Sequence, residues 1–68
     1  MNEEEYNRRM RFINQRLVQI SERTARMAWV DKANPDNAEF SALMREFEQL
    51  VERSDQLTKT MQDQLSKR

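Results

Sequence analysis

The stretch Ala33-Asn34-Pro35-Asp36-Asn37 sets where this chain can turn. It holds the only proline of a 68-residue chain that has no glycine at all. Without glycine, a turn that needs a positive φ is not cheaply made. Proline pushes the residue before it out of the helical region and itself suits the first position of a new helix. One bend is therefore expected, at residues 33–36, with Asn34 as the N-cap of a helix that begins there. On either side the abundance of Arg, Glu, Gln, Met and Leu favours helix.

The bend divides a single domain, residues 1–68, into a first helix over about 3–32 and a second over about 35–66. Asn2 followed by Glu5 has capping-box spacing, and Glu3, Glu4 and Glu5 stand where the helix dipole welcomes acid. Lys67 and Arg68 suit the C-terminus of the second helix. In the first helix Tyr6, Met10, Ile13, Leu17, Ile20, Thr24 and Met27 form a heptad seam with one polar interruption. Phe40, Leu43, Phe47, Leu50, Ser54, Leu57 and Met61 do the same in the second. Two such seams joined by a short bend bury one another by folding back, which predicts an all-α antiparallel helical hairpin. Symmetry about the bend sets Leu17 beside Leu50, Ile20 beside Phe47 and Met10 beside Leu57, with a slip of one layer left open. Thr24 and Ser54, the interruptions, are candidates for fixing register, and either hydroxyl can bond the carbonyl four residues back.

Composition narrows the chemistry. There are 12 Lys+Arg, 12 Asp+Glu, no His and no Cys. The usual general base, the thiol nucleophile, Cys/His zinc sites and disulfides are thereby absent. Glu46, Glu48, Glu52, Asp55 and Asp63 read as a solvated surface, because metal-holding Glu bundles use an inward Glu-x-x-His pattern. No phosphate loop or calcium loop is present. No enzymatic activity, catalytic residue, metal or cofactor is expected. Mean hydropathy is -1.09, and no apolar run is long enough for a membrane span or signal peptide. The expected setting is cytoplasmic, away from membranes.

The two helices are unequal in grease. Beside the seam of the second helix runs a further stripe, Met44, Val51, Thr58 and Leu65, which widens its apolar arc to roughly 160°. The matching flank of the first helix offers only Asn14, Ser21 and Ala28. A second copy of the hairpin is the simplest cover, giving a dimeric four-helix bundle with two-fold symmetry. Met10, Met27, Met44 and Met61, on seam or stripe, either fill the core or let such a surface repack.

Two further features concern partners. Val18, Ala25 and Trp29 lie almost opposite the first helix's seam with Arg11 and Arg26 nearby, which looks like an anchor for another protein; the plainer reading folds Trp29 over the bend or into the dimer core. Arg9, Arg16 and Arg23 recur every seven residues with Arg8, Arg26, Gln19 and Phe12 beside them. Opposite stand Glu39, Glu46, Arg53 and Thr60, so Arg23 is expected to meet Glu46 and Arg16 to face Arg53. Residues 1–33 carry a formal charge of +2 and residues 34–68 of −2, so a basic helix recognising an acidic one is the plain account. The sharper one makes Arg9, Arg16, Arg23 and Arg53 a patch for RNA or another anion. A net charge of zero and a pI near 6.3 weigh against strong nucleic-acid affinity.

The bend Asn34-Pro35-Asp36-Asn37, with Phe40, Leu43, Phe47 and Lys59-Thr60-Met61-Gln62-Asp63, resembles the loop and second helix of type III secretion needle subunits over roughly half the chain. That resemblance implies a structural subunit that builds open assemblies. Length and hairpin pattern also resemble the Rop family of plasmid RNA-binding dimers, whose first helices present the RNA face; no shared residue motif supports that likeness. The sequence leads to a small, self-associating hairpin that binds another protein as an adaptor or inhibitor. A Rop-like RNA binder and a needle-like subunit are the alternatives.

Overall fold

The computed structural model of the protein describes residues 2–30, 33, 34 and 36–66. They form two helices, α1 (Glu3–Trp29) and α2 (Ala38–Ser66), folded back on one another as a hairpin. α1 starts where its cap dictates: Asn2 is extended, and its side-chain oxygen accepts the Glu5 N–H at 2.7 Å. The Glu5 carboxylate does not complete a capping box but turns to Arg9, one turn on. At the other end the Val30 N–H reaches back to Met27 and Ala28 with φ of −106°, a turn that needs no glycine.

The boundaries next to the bend are tighter than the sequence suggests. α1 ends at Trp29 rather than 32, and α2 begins at Ala38 rather than 35. Two asparagines in series explain the late start. Asn34 does not cap α2; its Oδ1 accepts the N–H groups of Asp36 and Asn37 at 3.0 and 3.1 Å, holding a turn ahead of the helix. Asn37 is the cap, with Oδ1 on the Phe40 N–H at 3.0 Å and its carbonyl on the Ser41 N–H at 3.0 Å. The roles expected of Pro35, Lys67 and Arg68 fall outside the described residues.

Register also departs from symmetry. Met10 meets Ser54, whose hydroxyl lies 3.7 Å from the methionine sulfur. Tyr6 and Thr58 share a hydroxyl–hydroxyl bond of 3.2 Å. Arg16 pairs with Glu46 and Arg23 with Glu39, so neither Arg23–Glu46 nor Arg16–Arg53 is the contact made. α2 has slipped by one layer. In the symmetric register Arg16 would oppose the like charge of Arg53; after the slip, two arginines seven residues apart meet two glutamates seven residues apart. Of the seam interruptions, Thr24 bonds the Ile20 carbonyl four residues back at 2.9 Å, whereas Ser54 crosses to the other helix.

The core is thin. Among the described residues only Ile13, Ile20, Met27 and Met61 are buried hydrophobics. The remaining seam side chains, from Tyr6 and Met10 to Phe47, Leu50 and Leu57, are half-buried. Two helices alone cover each other along one line, and the molecule is correspondingly a slab of 51 × 17 × 12 Å. Its radius of gyration, 15.4 Å, compares with about 11 Å for a compact domain of this length.

Candidate functional site

A two-helix slab has two broad faces, and the side chains sort onto them by helical geometry. One is apolar. It carries the α2 stripe: Met44 and Thr58 half-buried, Val51 and Leu65 exposed at 39% and 50%. Thr58 is tied to Tyr6 across the hairpin, which joins the stripe's far end to α1. The α1 flank opposite, Asn14, Ser21 and Ala28, is exposed and too short to reach over it. Val18, Ala25 and Trp29 lie just beyond that flank, within an arc of about 40° at 100° per residue. Trp29 is 89% exposed and does not fold over the bend; Val18 is 55% exposed. Arg11 and Arg26 are exposed as well, Arg11 on the same arc and Arg26 further round the helix.

The other face is ionic. At its centre Arg16 grips Glu46 with two nitrogens, Nη2 to Oε1 at 2.9 Å and Nε to Oε2, while Nη1 reaches Gln19 at 3.2 Å. That fork geometry favours both charged forms. The hydrogen bonds from Arg16 hold the Glu46 carboxyl below its ordinary value, and the same bonds raise Arg16. One heptad nearer the bend, Arg23 Nε donates to Glu39 at 2.8 Å. Of the four arginines three are occupied: Arg16 and Arg23 are held by α2, and Arg9 by Glu5 on its own helix.

Where the heptad continues toward the open end of the hairpin, no glutamate follows. The slip in register brings Arg53, not a carboxylate, across from Arg9. Arg8, Arg9 and Arg53 flank a groove between the helices, with Phe12 at its edge and Ile13 and Leu57 in its floor. Gln56 and Thr60 complete the α2 wall without adding charge. Among the described residues Arg8 and Arg53 have no ion pair. Phe12 is 69% exposed. The sequence places Phe12 and Arg8 beside the arginine stripe, but grouping them with Arg53 and Leu57 depends on a register that sequence symmetry sets one layer off.

Among the described residues no group of three or more acidic, His or Cys side chains stands close enough to hold a metal ion, and no helix is long and apolar enough to cross a membrane. Compared with protein-family models, curated proteins and solved structures, the chain has no match. The likenesses to needle subunits and to the Rop family therefore bring no residue assignments with them.

Proposed function

We propose that the protein is a non-enzymatic interaction module: a hairpin that pairs with a second copy as a two-fold four-helix bundle and holds another protein through Trp29, Val18 and Ala25. The observation that carries this is the contrast, among the described residues, between four buried hydrophobics and the exposed Val18, Trp29, Val51 and Leu65. Scattered apolar residues need no explanation, but a stripe at heptad spacing on one face does. The broad face measures 51 by 17 Å between its outermost Cα atoms, which suits the ~800 Å² per partner that a stable interface takes. Its margins are complementary as well. A two-fold bundle sets α1 of one copy beside α2 of the other, and the α1 margin carries Arg11 where the α2 margin carries Glu48 and Asp55.

In this reading Met44, Val51, Thr58 and Leu65 are covered by the second copy, while Trp29, Val18 and Ala25 stay at the rim, with Arg11 and Arg26, for a different protein. An exposed tryptophan with an arginine one helical turn away, Arg26, has the composition of an interface anchor. Mutation separates the two surfaces. Trp29→Ala should abolish capture of the partner while leaving helicity and self-association intact. Capture at the level of the unaltered protein would remove the assignment.

RNA binding has less behind it, because Arg16 and Arg23 already face carboxylates and affinity for a polyanion scales with the number of unpaired cations. A mobility shift with RNA at low salt that fades steeply as salt rises would favour that alternative instead. Needle-like assembly predicts long open filaments by electron microscopy, where the bundle predicts none.

A further inference from the structure

The ionic face holds a surface that neither self-association nor Trp29 uses. At the open end of the hairpin, Arg8 and Arg53 stand on opposite sides of the interhelical groove, without a carboxylate for either among the described residues. Arg9 lines the same groove and shares the Glu5 carboxylate. The floor is aliphatic, Ile13 and Leu57, and Phe12 leaves most of its ring in solvent at the edge. Nearer the bend, the same face is closed by the Arg16–Glu46 and Arg23–Glu39 pairs. The pattern of α1 continues into the groove and the pattern of α2 does not supply its acid.

We propose that this groove docks an acidic, amphipathic helix from another protein, with carboxylates paired to Arg8 and Arg53 and an apolar stripe laid on Phe12 and Leu57, above the buried Ile13. A helix fits because the groove between two packed helices receives a third by the same ridge and groove packing, with apolar anchors spaced one turn apart. Acid fits because a guanidinium takes a carboxylate through two parallel hydrogen bonds, and the groove offers arginines on both walls. The aliphatic floor favours a protein segment over nucleic acid: phosphates need cations rather than Ile and Leu, and bases need more than one ring to stack on. The groove lies on the opposite broad face from the Met44–Leu65 stripe, so it is accessible in monomer and dimer alike.

The full chain is titrated with a fluorescent, end-capped peptide of about 18 residues, long enough to be helical in part. It carries leucines at a, d and e positions and glutamates on both flanks. A second peptide has every glutamate replaced by lysine, and a uridine oligonucleotide provides the nucleic-acid arm. Saturable binding of the acidic peptide is expected. Arg8→Glu and Arg53→Glu should each weaken it by about tenfold or more, the worth of one charge-assisted hydrogen bond, and Phe12→Ala should weaken it also. Arg45→Glu, which reverses an exposed charge on the far side of α2, should leave it unchanged. The lysine peptide should bind the Arg8→Glu, Arg53→Glu double variant and not the unaltered protein. Circular dichroism of each variant shows whether the hairpin has survived. Absence of saturable binding, equal weakening with Arg45→Glu, or tighter binding of the oligonucleotide than of the peptide would each overturn the proposal.

Discussion

Glu46 links the two helices near mid-length, and its chemistry gives the molecule a pH dependence. Because Arg16 holds the folded carboxyl below its ordinary value of 4.5, the folded state favours the ionised form more than the unfolded chain does. The resulting stabilisation is fully present above about pH 4.5 and is lost as pH falls through the lower, folded value. Arg16, raised by the same bonds, stays charged throughout this range. Replacing Arg16 with Met should return Glu46 to the ordinary carboxylate range, read by a carbon-13 titration of its carboxyl group, and flatten the acid side of the melting profile. An unchanged Glu46 titration would show that the pair does not persist in solution. Burial separates two other residues. Ile20, 1% exposed, should cost about 2–5 kcal/mol on substitution by Ala. Phe12, 69% exposed, should cost within about 0.5 kcal/mol on the same change, both read by urea unfolding.

Among the helices, the ends are set by side-chain caps rather than by the proline alone. Asn37→Ala should destabilise by about 0.5–2 kcal/mol through loss of the α2 cap, and should loosen amide protection in the first turn of α2 before anywhere else. The seams, the bend and the number of helices are legible in the sequence because they follow from period and from one proline in a chain without glycine. The start of α2 is less so: Asn34 and Asn37 are equally good caps by type, and only the backbone shows that the first closes a turn and the second the helix. Register is the other unreadable quantity. Heptad patterns look alike after a one-layer slip, and the decision falls to Arg16, Arg23, Glu39 and Glu46, whose ends must find one another. The groove at Arg8 and Arg53 is hidden for the same reason, since it exists only in the register that sets Arg53 across from Arg9 rather than from Arg16.

For the whole molecule, the two-helix all-α hairpin is what sequence and structure agree upon most closely. The stripe named from spacing alone, Met44, Val51, Thr58 and Leu65, lies half-buried or exposed in the hairpin; Tyr6 reaches Thr58 at its far end, and the α1 flank beside it, Asn14, Ser21 and Ala28, is itself exposed. What the stripe meets is a property of a second surface, so no reading of one chain's period supplies it. Placing a charge there, as in Val51→Asp, should convert a dimer to monomer and lower the melting temperature, while the same change at Ala42, exposed on the outer side of α2, should do neither. Whether a second copy covers the stripe is best decided by sedimentation equilibrium over a dilution series, with thermal melts recorded at each concentration. A mass of twice the 8.3 kDa chain is expected at micromolar concentration, with a melting temperature that falls on dilution. A monomer that melts cooperatively at one temperature across the series would rule the pairing out.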